Sequence, residues 1–282
     1  MPSDKPFGRA AASRRLRIHG IAVNAPAATL LSSTAATSKV WDRLWKYAPT
    51  DERDDALLAR ERRTLRWATI QDRLVSNFGS LRGLRTIELG SGRGDLSVLL
   101  AQAGADVTLL DSSRRALDQA QKRFGRLGCS ACFERGDLFA PPAHLLGSFD
   151  VALSSGVIEH FEHDVRTQAF RAHADVLNHR GLGIISVPNA WCPSYRLWKF
   201  YLELRGWWPY GIEIPYSRRE MFRRARVGGF TRIEVAGAGF WQSVGDHLGR
   251  GLLGRGPDWA AWSSRLDRVM GMSLILLGRR GI

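Results

Sequence analysis

Cysteine is scarce in this chain. Its 282 residues hold three, too few for a disulfide framework and in keeping with a reducing compartment. Cys129 and Cys132 make one C-x-x-C, but no second pair completes a zinc site. No apolar run approaches the ~20 residues a membrane-spanning helix needs, and no internal repeat is visible. Lysine is rare as well, at positions 5, 39, 46, 122 and 199, so the net charge of +14 rests on arginine. These basic residues are spread from Arg9 to Arg280, often beside acids, as in Asp51-Glu52-Arg53-Asp54-Asp55. No basic block with interleaved stacking aromatics marks an RNA groove. A solvated basic surface is the reading; acidic membranes and RNA stay open as partners, nucleic acid being the less expected.

Acids are missing altogether from residues 5–39, which are rich in Ala, Ser and Arg. Three readings fit residues 1–36: a disordered tail, an organellar transit peptide, and a twin-arginine export signal at Ser13-Arg14-Arg15. Asn24 and Pro26 interrupt the stretch that export would need, so the tail is preferred. Residues 37–80 read as an amphipathic helical cap, with Trp41, Leu44, Trp45 and Ala48 at helical spacing. What remains, residues 81–282, alternates strand and helix patterns, and with 44% hydrophobic residues the chain can bury a sizeable core.

The densest signal is TIELGSGRGDLSVLLAQAGADVTLLD, residues 86–111. A short apolar strand runs into Glu88, Gly90, Ser91, Gly92 and Gly94, a helix follows, and a second strand stops at Asp111. Glycines there let backbone approach a ligand closely, and an acid at the next strand's tip can accept both ribose hydroxyls. A dinucleotide fingerprint needs glycines at i, i+2 and i+5; here they fall at i, i+2 and i+4, and Asp95 takes the next place. Glu88 and Asp95 would crowd a pyrophosphate but tolerate a cationic ligand.

This run resembles the first motif, [DE]-x-G-x-G-x-G, of the class I S-adenosylmethionine-dependent methyltransferases. The resemblance extends over roughly residues 80–280 and is strongest to the quinone and small-molecule O-methyltransferase subgroup, through Val157-Ile158-Glu159-His160 and Ser186-Val187-Pro188-Asn189. It implies an α/β fold: a doubly wound, seven-stranded, mostly parallel sheet of Rossmann-like type, with a helical N-terminal cap and lid insertions at 191–226 and 240–271. Strands are expected at 132–138, 149–155, 181–187, from Gly229 through Val235, and at 272–277. The implied cofactor is S-adenosyl-L-methionine, held by Glu88, Gly90, Ser91, Gly92, Gly94, Asp111, Ser112, Asp137, Leu138 and Ser155, with Asp137 on the adenine amino group.

Open α/β sheets bind ligands beyond the carboxyl ends of their strands, which puts Ser155 to His160 on one wall and Asn189 to Pro193 on the other. Methyl transfer is an in-line displacement, and alignment alone supplies ~7–11 kcal/mol. His160 is the candidate general base for a hydroxyl acceptor, against the plainer role of anchoring its own loop. Glu159-His160 with His163 also resembles part of an acid-x-x-acid-His pattern that holds a divalent ion in some methyltransferases. Gly156 stands where the first acid would be, Glu162 is a loose substitute, and no metal is expected. Asn189, Tyr210 and Tyr216 are the candidate acceptor contacts. Nine aromatic rings between residues 191 and 216 line a pocket, seat the lid at a membrane interface, or form a satellite core; Trp207 and Trp208 are the pair expected at such an interface.

The expected activity is methyl transfer to a small-molecule or lipid-like acceptor, at oxygen, by a cytoplasmic enzyme with scope for peripheral membrane contact. An RNA methyltransferase and a non-catalytic cofactor-binding domain are the alternatives.

Overall fold

The computed structural model describes residues 17–18, 21–22, 40–254 and 256–281. The expected extension at 1–36 lies outside these, apart from Arg17–Ile18 and Ile21–Ala22, which pair antiparallel. Among the described residues seven strands form one sheet: β1 (Arg85–Leu89), β2 (Asp106–Asp111), β3 (Cys132–Arg135), β4 (Phe149–Ser155), β5 (Leu177–Pro188), β6 (Phe230–Ala238) and β7 (Ser273–Arg280). Their order is β3-β2-β1-β4-β5-β7-β6. The pairings from β3 through β5 are parallel, whereas β7 runs antiparallel to both β5 and β6. The chain reverses direction across the sheet between β1 and β4, the place where such sheets open a crevice at their carboxyl edge.

Alternation along the strands sends successive side chains to opposite faces, and each face is apolar. Leu109, Val151, Leu153, Ile184 and Ile275 pack with one cluster, and Leu110, Ala152, Ile185, Leu274 and Leu276 with the other. Helices α2 (Leu65–Phe78), α3 (Asp95–Gln102) and α4 (Arg114–Arg126) cover the first face through Trp67, Leu74, Leu100 and Phe124. Helices α5 (Val165–Val176) and α7 (Arg218–Val227) cover the second through Phe170, Met221 and Ala225. Burial on both faces makes the strands near-continuous apolar runs, as parallel sheets require. Side-chain caps set three helix starts: Thr64 Oγ1 accepts from Trp67 N at 3.1 Å, and Ser113 and Ser217 do the same for α4 and α7.

Several strands differ in length from the sequence reading. β3 ends at Arg135, three residues early, because Gly136 leaves the ladder and Asp137 turns back to accept from Phe139 N. β5 starts earlier, at Leu177, which pairs with Phe149, and β6 and β7 extend each other through Ala238↔Ser273 and Phe230↔Arg280.

Helix α1 (Asp51–Glu61) with α2 forms the cap, preceded by helical residues 40–44. Asp54 of α1 is buried and meets Arg93, Arg123 and Arg126, each at 2.9 Å. The cap is thereby fixed to the glycine loop and to α4. Its other end is fixed by Arg60, bonded to Asp246 and Asp258 of the insertion between β6 and β7. That insertion contains α8 (Phe240–Ser243), which continues as a π-helical stretch, Val244–Leu252, and the short α9 (Asp267–Met270). The insertion between β5 and β6 carries α6 (Pro193–Leu204), with Pro193 in its first turn, and α7.

Candidate active site

Gly90, Gly92 and Gly94 all adopt positive φ, at 67°, 54° and 69°. Each is also crowded where a side chain would stand. A Cβ on Gly92 would come within 2.7 Å of Trp45 Cζ2, and one on Gly90 within 2.9 Å of Val157 Cγ1. The loop is therefore roofed by the cap and abutted by the turn after β4. Asp111, at the tip of β2 and buried, accepts from Gly92 N at 2.7 Å and from Ser113 N at 2.8 Å. A carboxylate has about four lone-pair sites, so it keeps capacity for a ligand. Burial pushes its pKa up. Ser91 Oγ lies buried beside it with no hydrogen-bond partner among the described residues. A polar ligand in this cradle would supply the missing bond, which is the fit expected for a nucleoside-bearing cofactor.

The remaining expected cofactor contacts divide by position. Glu88 is buried and turned toward α3, where it accepts from Ser97 Oγ at 2.6 Å; burial pushes it up to about 7. Leu138 is buried, whereas Ser112 and Asp137 are exposed. Ser155, at the end of β4, accepts from Arg66 Nη1 at 2.6 Å. Arg66 is held in turn by Glu61 at 2.7 Å, which ties the cap to the carboxyl edge of the sheet.

Past β4 the chain turns at Gly156 (φ 73°) into a single 3-10 turn, Ile158–His160. This turn buries Glu159 and His160. His160 Nδ1 donates to Ile212 O at 2.6 Å, so the neutral ring presents its Nε2 lone pair. Burial lowers its pKa to about 4, which keeps it uncharged and also makes it a weak proton acceptor. Trp41 packs edge-on against it at 5.1 Å and reaches Tyr210 at 5.9 Å. Residues 41 and 45, one helical turn apart, thus cover the imidazole and the glycine loop together. Glu159 carries a buried Oε2 without a partner among the described residues. Its carboxyl is held well above the usual range by burial and then by Glu213. Ligand atoms of Glu159, His160 and Glu213 all lie within 4.8 Å of one another, and Tyr195 OH donates to Glu213.

Of the three expected acceptor contacts, Tyr210 meets Trp41 over this corner, and Tyr216 OH donates to Ile158 O of the same turn at 3.3 Å. Tyr216 is fully buried in the core, its ring under the Arg166 guanidinium at 3.7 Å. Asn189 spends both amide hydrogens on the carbonyls of Val269 and Gly271, each at 2.9 Å, and its oxygen on Trp191 N. It staples the end of β5 to the loop around α9. Trp207 and Trp208 are half-buried around Trp198 and Leu202, with Arg205 and Lys199 over their rings. The outward rings are elsewhere, at Trp191 and Phe200. Glu213, Arg66 and Trp41's contact with His160 had no signal in the sequence, because each depends on a distant segment folding back.

Residues 87–181 match the family model described as a methyltransferase domain. The ubiquinone biosynthesis O-methyltransferase of Azorhizobium caulinodans is 29% identical over 62% of this chain and 73% of its own length. Other proteins of that name match over half of their length or less. Among solved structures, magnesium protoporphyrin IX methyltransferase from Synechocystis, with bound S-adenosylhomocysteine, superposes with a TM-score of 0.54 at 19% identity, covering 89% of this chain and 96% of that one. The 1,6-didemethyltoxoflavin-N1-methyltransferase of Burkholderia thailandensis gives 0.57 at 15% identity, over 92% and 95%. These two show the fold, and the family match spans the glycine loop, Asp111 and the turn after β4. The chain thus carries a methyltransferase domain over residues 87–181 and has the fold of the class I S-adenosylmethionine-dependent methyltransferases.

Proposed function

We propose that this enzyme methylates an oxygen of a lipophilic small molecule, with the acceptor hydroxyl seated at the Glu159–His160–Glu213 corner. The observation that carries this reading is a neutral imidazole, anchored through Nδ1 and offering Nε2, under an aromatic roof of Trp41 and Tyr210. S-adenosylmethionine, when bound, supplies a methyl carbon whose bonding pair returns to sulfur as the acceptor oxygen takes its place. The chain's own residues do the rest. Asp111 accepts from the ribose hydroxyls while fixing Gly92, and the positive-φ glycines bring backbone against the ligand. Val157, packed on Gly90, sets the acceptor corner beside the cofactor loop. Trp41 and Trp45 exclude water from both halves. A hydroxyl becomes a competent nucleophile as its proton passes to the neutral His160 Nε2, which leaves the oxygen pair for the methyl carbon. The relatives named for ubiquinone biosynthesis are O-methyltransferases by name, which agrees with an oxygen acceptor.

Lipophilicity is supported by the surface around the lid. Leu197, Phe200 and Leu204 recur at helical spacing on the outer side of α6 and are exposed, as is Trp191 before it. Trp191 also lines an open groove of about 900 Å³ with Phe222 and Val269, rimmed by Arg218 and Arg219. Apolar rings bordered by arginine suit an anionic bilayer surface.

His160→Ala should lower kcat by ~10²–10⁴ while S-adenosylmethionine affinity, measured by calorimetry, stays within about twofold of wild type. A variant with near-full turnover would return His160 to loop anchoring and remove the corner from the chemistry.

A further inference from the structure

The turn that carries His160 and the lid segment that holds it are joined by a buried arginine. Arg166 is the second residue of α5 and is 2% exposed. Its Nη1 donates to two carbonyls: Phe161 O at 3.4 Å, directly after the turn, and Ile214 O at 3.0 Å, in the lid. Its Nε donates to Glu220 of α7 at 3.2 Å. The guanidinium lies 3.7 Å from the centre of the Tyr216 ring, and Tyr216 OH donates to Ile158 O at 3.3 Å. We propose that Arg166 is a positioning residue for the acceptor corner: it locks lid residues 212–216 onto the turn at 158–161 and so fixes the His160 imidazole with Nε2 toward the acceptor. The inference rests on the reading that the acceptor hydroxyl sits at this corner.

Ile214 links the two halves of the lock. Its N–H donates to Glu159 O at 2.8 Å, and its carbonyl accepts from Arg166. Two residues earlier, Ile212 O accepts from His160 Nδ1 at 2.6 Å. A shift of this short backbone stretch therefore moves the carbonyl that sets the tautomer of His160. A guanidinium suits the task because its planar fork offers five N–H donors in fixed directions and stacks on an aromatic face. A lysine ammonium is a point charge without that fork.

Stability alone does not account for a cation in this place, because well-packed apolar residues of similar volume often serve a core as well. One carboxylate, Glu220, meets the charge, and Arg224 shares it at 2.8 Å. The Nη2 of Arg166 has no hydrogen-bond partner among the described residues. What Arg166 secures is backbone. The loop leaving the turn passes through His163 at φ 48°, a left-handed conformation uncommon outside glycine. Arg224 Nη1 donates to His163 O at 3.0 Å. Strained backbone persists where its surroundings over-determine it, and it gathers at functional sites. Here two arginines from α5 and α7, joined through Glu220, hold Phe161 O and His163 O and keep the turn in one place.

Long-range ¹H–¹⁵N spectra of the full chain report which ring nitrogen of each histidine carries the proton, and they need no acceptor. A carbonyl only accepts, so wild type should show the Nδ1–H form at His160 and also at His173, whose Nδ1 donates to Ala169 O at 2.7 Å in the core. The spectrum of His160→Ala assigns the first signal. Arg166→Lys should lose the Nδ1–H form at His160 and keep it at His173, whereas a general loosening of the fold would move both. Methyl transfer from labelled S-adenosylmethionine to a total lipid extract from cells lacking the protein should fall by about 10²-fold, the scale of a small misplacement, with cofactor affinity within about twofold of wild type. If Arg166→Lys does not fold, Glu220→Gln, which removes the anchoring charge and leaves the guanidinium, decides by the same readouts. A wild type without the Nδ1–H form at His160 would overturn the proposal. So would an unaltered His160 signal or undiminished transfer in the variant; with His160→Ala inactive, either result leaves the acceptor corner standing. Transfer retained by His160→Ala would instead remove the corner and the positioning role with it.

Discussion

Asp111 holds two jobs with one carboxylate. It accepts from Gly92 N and Ser113 N, so it sets the glycine loop and the start of α4 while keeping lone pairs for a ligand. Asp111→Ala removes a charged acceptor, a loss of ~1.5–3 kcal/mol, and S-adenosylmethionine affinity should fall roughly tenfold to a hundredfold. Calorimetry on the folded variant checks this, and equal affinity would move the ribose site elsewhere. Asp111 and the glycines were legible in the sequence because they act within one βα unit, where spacing along the chain fixes spacing in space. Tyr216 was not legible as a core residue. Its ring reads like any lid aromatic until α5 and the parallel bridge Asn189↔Tyr216 enclose it. Asn189 stands after β5, where a ligand wall was expected, and lines the groove beside Trp191; what the sequence did not reveal is that its amide is engaged by carbonyls 80 and 82 residues away.

At the scale of elements, the cap and the lid meet over the site. A short helical segment lays Trp41 on His160 and Trp45 on Gly92, while Tyr210 of the lid meets Trp41 from the other side. The strand pattern was readable, since apolar alternation and the turns between strands are local. Which face of α6 points outward was not, because Trp198 and Leu202 bury one side against Trp207 and Trp208 and leave Leu197, Phe200 and Leu204 on the other. The bilayer reading therefore belongs to the outward residues. Replacing Leu197, Phe200 and Leu204 together with Ser should reduce cosedimentation with anionic phospholipid vesicles by at least about fivefold and leave cofactor affinity intact, since the three side chains are exposed in the fold. No vesicle binding by the wild type at low salt would count against a bilayer partner. Binding that survives in the variant would shift the contact to the arginine-rimmed groove.

Across the whole molecule, arginine does two kinds of work. Part of the +14 charge is consumed internally. Asp54 gathers Arg93, Arg123 and Arg126, and Arg60 joins the cap to the insertion after β6. The rest covers the surface, including Arg219, Arg223 and Arg226 on α7, where it favours anionic partners in general. That surface alone does not separate a lipid-like acceptor from RNA, whereas the enclosed aromatic corner favours a small apolar molecule. The most direct test supplies the purified enzyme with S-adenosylmethionine labelled in its methyl group, together with a total lipid extract or total RNA from cells lacking the protein. The account predicts label in organic-extractable material, released as methyl iodide on cleavage with hydriodic acid under conditions that spare N-methyl groups, and absent from the reaction with His160→Ala. Label appearing in RNA, or only at nitrogen or carbon of a polar product, would contradict it.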